Sequence, residues 1–147
     1  MKRFAFSLEK VLKYRKEVLD FKISELNSLN HRLRELEEQI ETINRAYDSE
    51  RRALAEKLAE GLSATDLSVY KVYLNDTIKK IKELFEKKLS LIAVIEQKQE
   101  VVVALKSELS GLEHLKERQY QEYLRLEQKE LERSMEEFFS KMRFSAG

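Results

Sequence analysis

Side chains able to bind metals, attack carbon centres or shuttle protons are scarce in this chain. Its 147 residues hold two histidines, His31 and His114, and no cysteine. If the chain doubles back once, with paired positions summing to about 125, His31 falls opposite Val94 and His114 opposite Val11, too far apart to share an ion. Each reads best as a solvated helical histidine. There is no thiol nucleophile and no glycine-rich phosphate loop. The acidic run "ELEEQIE" (35–41) supplies carboxylates, but a pair of helices has no concavity in which to desolvate one and raise its pKa. The expectation is no catalytic residue, no metal site and no cofactor: not an enzyme.

Composition narrows the class. Lys plus Arg number 28 and Asp plus Glu 27, a near balance that points away from nucleic acid and from anionic membranes. Charged residues make up 37% and proline is absent, the profile of a long helix or coiled coil. The 42% hydrophobic content fills a narrow seam but is thin for a globule of this length. No window approaches the run of apolar residues that crosses a membrane. The opening "MKRFAFSLEK" does not read as a signal peptide, and the lack of cysteine suits the cytoplasm.

The elements follow from spacing. Leu12, Leu19, Leu26, Leu33, Ile40, Tyr47 and Leu54 recur every seven residues. A second row reads Leu8, Arg15, Lys22, Leu29, Leu36, Ile43, Glu50 and Lys57. Together they form an a/d seam, fully apolar from Leu26 to Ile43, that implies a supercoil with a partner helix. Gly61 breaks the pattern, and Ser63 with Asp66 reads as a capping box opening the next helix. The seam resumes at Leu67, Tyr70, Leu74, Thr77, Ile81 and Leu84, is interrupted by Lys88, and continues through Leu91, Ile95, Val102, Leu105, Leu109 and Leu112 to Tyr123 and Leu126. So short a connection leaves the helices antiparallel neighbours. The expected fold is all-α: a long two-helix antiparallel coiled-coil hairpin over 1–147, with helix one at about 7–60, a turn at 61–64 and helix two at about 64–142.

Apolar residues in excess of the seam mark candidate binding surfaces. Val69, Val72 and Tyr73 stand off the seam beside the turn, facing small Ala46 and Ala53. Phe85, Leu89 and Ile92 form a further strip that either binds or widens the core. Helix two outruns helix one by some twenty-five residues. That overhang, "YQEYLRLEQKELERSMEEFFSKMRF", keeps an apolar stripe through Leu124, Leu131, Met135, Phe138, Phe139 and Met142. A lone helix with such a stripe frays or binds, and binding is expected. Gly111 reads as a weak spot in helix two.

The opening "FAFSLEKVLKYRKEV" resembles the start of the flagellar export protein FliJ family, through Phe4, Phe6, Leu8, Val11, Leu12, Arg15 and Glu17. The stretch "GLSATDLSVYKVYLNDTIKKI" is similar to that family's hinge through Gly61, Tyr70, Tyr73 and Leu74, and "LEHLKERQYQEYLRLEQKELE" looks like its charged C-terminal helix. The resemblance implies a cytoplasmic component of the flagellar type III export apparatus, peripheral to the cytoplasmic face of the cell membrane at the flagellar base. It implies a stalk-like hairpin that engages the export ATPase ring and the membrane export-gate protein FlhA. Carried over by position, the gate-binding surface is Gln39, Ile43, Ala46, Glu50, Tyr73, Thr77, Lys80 and Leu84, joined by Val69 and Val72 from the off-seam stripe. Ala46 and Glu50 depart from the aromatic character the family shows there. The ATPase-binding end is Phe4, Phe6, Leu8, Val11, Arg15, Arg125, Leu131, Met135, Phe138 and Phe139. Two other roles fit the same residues: an export chaperone holding substrates or recycling their chaperones, and a purely structural dimer in which two overhangs pair.

Overall fold

The structure, a computed structural model, describes residues 2–146. It contains two helices, α1 (Glu9–Glu60) and α2 (Ala64–Ala146), and no strand among the described residues. They pack against each other as an all-α helical hairpin.

Each helix end has a local cause. The Leu8 carbonyl accepts the Leu12 N–H at 2.9 Å, so α1 opens at Glu9, two residues after the expected start. Glu9 in its first turn and Lys57 in its last complement the helix dipole. Gly61, at φ 104°, ends α1 in the left-handed region that a side chain resists. Ser63 then caps α2: its carbonyl accepts the Leu67 N–H at 3.0 Å and its Oγ the Asp66 N–H at 3.2 Å. Helix α2 continues to Ala146, four residues past the expected end, because no glycine or proline intervenes to stop it.

The chain forms two compact units, Met1–Phe21 with Val102–Gly147 and Lys22–Val101. In the first, Phe6, Leu12, Leu19 and Val102 are buried, and Leu12 is only 2% exposed. Two ion pairs cross this seam, Lys116–Glu9 at 2.8 Å and Lys16–Glu113 at 3.6 Å, and Arg15 meets Glu108. In the second unit, Leu54, Leu74 and Ile95 are buried and the intervening Leu, Ile and Tyr layers are half-buried. Lys22 and Lys98 converge on Glu25 Oε2 at 3.4 and 3.3 Å, and Lys88, the intruder in the apolar row, reaches Glu37 at 3.8 Å. Burying a Leu or Ile side chain contributes about 1.5–3 kcal/mol, whereas surface ion pairs add little; the apolar rows hold the pair and the charges fix its register. That register matches the expected one. Residue numbers of facing partners sum to 125 for Glu9–Lys116 and for Glu37–Lys88, and to 123 for Glu25–Lys98.

Candidate functional site: two exposed apolar surfaces

The tip surface belongs to the unit Lys22–Val101. Leu74 turns inward, which by helical geometry sends Val69, Val72 and Tyr73 outward. All three are exposed, Val69 at 64%. Val69 and Tyr73 share a groove with Tyr70 and Glu50, while Val72, also exposed, does not line it. The Tyr70 hydroxyl accepts a hydrogen bond from Lys57 Nζ, and that ammonium sits 4.8 Å from the Tyr70 ring centroid. The hydroxyl beside it holds the Lys57 ammonium above its ordinary pKa. The pair ties the last turn of α1 to the first turns of α2 and keeps the neighbouring stripe in place. Thr77 spends its hydroxyl on the Tyr73 carbonyl at 2.9 Å.

A second groove in this unit collects Gln39, Ile43, Lys80 and Leu84 with Glu35, Glu38, Thr42, Glu83 and Lys87. Ile43 and Leu84 form its half-buried floor, and charged side chains rim it. Sequence reasoning named those first four but passed over the acidic and basic rim. Ala46 is exposed and presents only a methyl group. Phe85 and Leu89 are 49% and 53% exposed, so the strip they begin adds little to the core and remains a surface feature.

The other surface belongs to the unit that carries the end of α2. From Leu124 to Ser145 every residue is exposed, including Leu131 at 60%, Met135, Phe138 at 60%, Phe139 and Met142. The rings of Phe138 and Phe139 meet edge-on with centroids 6.0 Å apart. Arg125 is held by Glu122 through two hydrogen bonds, Nη2 to Oε1 at 2.5 Å and Nε to Oε2 at 3.1 Å. That bond lowers the Glu122 pKa and raises that of Arg125.

The N-terminal members of the expected ATPase-binding set are placed differently from the C-terminal ones. Phe6 is 6% exposed and serves the core of its unit. Phe4 and Leu8 are half-buried, and Phe4 packs its ring on Tyr120 and Tyr123. Arg15 is occupied by Glu108, and Val11 is 39% exposed. Tyr120 and Tyr123, read from sequence as the start of the overhang, carry Phe4 instead, so the uncovered stretch begins at Leu124. No heptad signal marks this, because residues 2–8 are not helical.

As for chemistry, His31 Nε2 lies 3.0 Å from Glu35 on its own helix. Among the described residues no cluster of His, Asp or Glu could hold a metal ion, and no helix is long and apolar enough to cross a membrane. What the surfaces offer is apolar area on preformed helices, suited to recognising other proteins.

The family model described as "Flagellar FliJ protein" matches residues 4–147. No curated protein and no solved structure matches.

Proposed function

The chain belongs to the flagellar FliJ family, and from that premise we propose that it is a non-catalytic, stalk-like component of the flagellar type III export apparatus. In this reading the uncovered end of α2 engages the export ATPase ring, and the tip surface engages the cytoplasmic part of the gate protein FlhA. The protein then works at the cytoplasmic face of the membrane, at the flagellar base.

The observation that carries this reading is the end of α2. A helix that exposes Leu131, Met135, Phe138, Phe139 and Met142 together has no seam of its own to fill. Isolated helices are marginal in water, so such a stripe gains most when a partner covers it. Phe138 and Phe139 have the size and geometry of interface anchors. The tip supports the gate contact more weakly, through Val69 and Tyr73 beside Glu50.

The test is reconstitution with the cognate export ATPase. Addition of the wild-type chain is expected to stimulate ATP hydrolysis, and Phe138→Asp with Phe139→Asp to abolish it, since anchor residues carry about 2 kcal/mol or more each. Undiminished stimulation by that double variant would remove the end of α2 from the interface. Tyr73→Ala is expected to weaken FlhA binding with helicity by circular dichroism unchanged. Equal binding by the two proteins would retire the tip contact.

A further inference from the structure

Residues 2–8 do something that the α2 end cannot do for itself. Glu9, the first residue of α1, pairs with Lys116 at 2.8 Å, so by register α1 supports α2 no further than that level. Tyr120 and Tyr123 lie one and two turns beyond it. A non-helical segment nonetheless reaches them, leaving Tyr123 half-buried and Tyr120 39% exposed. The Phe4 ring centroid is 5.2 Å from that of Tyr120 and 5.6 Å from that of Tyr123, and the two tyrosine rings stand 6.4 Å apart. The Tyr123 hydroxyl donates to the Lys2 carbonyl at 2.7 Å. Phe6 is buried, and its carbonyl accepts the Glu9 N–H at 3.1 Å, which turns the segment back toward α2.

We propose that residues 2–8 are a positioning strap, with Phe4 and Phe6 acting through α2 rather than touching the partner. The strap extends the supported length of α2 by about two turns and fixes where its free end begins. An unsupported helix frays inward from its free end to the last turn that is held, and a partner that needs the helical form binds in proportion to the fraction already helical. Holding Tyr120 and Tyr123 therefore raises the helical fraction of everything beyond them. The strap also determines which residues are left for recognition, because Tyr123 is engaged and Leu124 is not. The binding arm of this inference rests on the ATPase reading above; the structural arm does not.

Amide hydrogen exchange on the full chain, without partner, is the first measurement. Phe4→Ala is expected to speed exchange across residues 117–130 about tenfold, the loss of two ring pairs, while Phe4→Tyr restores protection. Tyr123→Phe, which keeps the ring and removes the hydroxyl that bonds the Lys2 carbonyl and meets Glu127, is the milder variant and gives a smaller rise in the same window. Unchanged exchange at 117–130 in both Phe4→Ala and Tyr123→Phe overturns the strap. The second measurement is affinity for the export ATPase. A positioning role predicts that Phe4→Ala weakens binding by the same factor by which it speeds exchange, and that Phe4→Tyr rescues both. Binding lost with exchange unaltered makes Phe4 a direct contact and overturns the inference. If the wild-type chain does not bind the ATPase, the functional reading fails, and exchange alone still decides whether the strap exists.

Discussion

Val69, Val72 and Tyr73 project from a stretch of α2 whose opposite face buries Leu74, whereas Leu131, Met135, Phe138 and Phe139 project from a stretch with no buried residue at all. The two surfaces are similarly apolar and differently supported. At the tip, the helix is already held by its neighbour, so its shape does not depend on what binds there. At the α2 end, order and binding are coupled, because no other stretch of the described residues buries the stripe and its cover must come from another molecule. A tip contact is thus set by side-chain fit, and an end contact also by how much helix exists beforehand.

The largest test of that contrast removes matched leucines from supported and unsupported helix. Leu12→Ala empties a fully buried position and is expected to cost about 2–5 kcal/mol in urea unfolding. Leu131→Ala, at a position 60% exposed, is expected to stay within about 0.5 kcal/mol. A comparable loss at Leu131 would mean that the end of α2 is covered in the free protein, and would erase the distinction between the surfaces.

Glycines sharpen it at the next scale, with opposite signs. Gly61 has φ +104°, so Gly61→Ala strains the turn beside the tip and is expected to destabilise by more than about 1 kcal/mol. Gly111 sits in ordinary helix, and a Cβ there meets nothing within 4 Å. Gly111→Ala is expected to stabilise α2 by about 1 kcal/mol, read as slower amide exchange on both sides of it. If Gly111→Ala destabilised instead, helix α2 would need flexibility at that point, and the support of its end would be less rigid than its hydrogen bonding implies.

Much of this was legible from spacing alone. Two heptad rows, one glycine and one serine determine both helices, the turn and the register, because a seven-residue period puts the apolar residues of each helix on one face, toward its neighbour. The uncovered end was legible too, from the mismatch in helix lengths. The strap was not. Phe4 and Phe6 stand two apart around Ala5, outside any helical period, and nothing in a heptad reading says that Phe4 lies against tyrosines more than a hundred residues away. Local periodicity specifies helices and their partners, whereas an irregular segment is placed by whichever apolar surface the helices leave open. Here that surface is Tyr120 and Tyr123. The charged rim of the Gln39–Leu84 groove was passed over for a related reason: Glu35, Glu38 and Lys87 look like any solvated helix face until the neighbouring helix brings them together.

The smallest expected effects come from pH, and their signs separate the cross-helix carboxylate pairs from the tie at the tip. Glu9 is held below its ordinary pKa of 4.5 by the hydrogen bond from Lys116. At Glu25 desolvation pushes upward, but the hydrogen bonds from Lys98 and Lys22 together outweigh it, and the pKa is again lowered. A carboxylate with a depressed folded-state pKa contributes stability above its unfolded value, and loses it as pH falls through the folded value. Lys57, raised above 10.5 by its bond to Tyr70, behaves in reverse: its contribution is complete below 10.5 and disappears as pH rises through the folded value. Acid should therefore loosen the cross-helix pairs at Glu9 and Glu25 first, and alkali the Lys57–Tyr70 tie at the tip. Carboxyl and lysine side-chain NMR titrations read both. Lys116→Met should return Glu9 toward 4.5, and Tyr70→Phe should return Lys57 toward 10.5. If alkali left the environment of Tyr73 unchanged while Lys57 lost its proton, the tie would be incidental to the tip surface, and packing around Leu74 alone would hold that stripe in place.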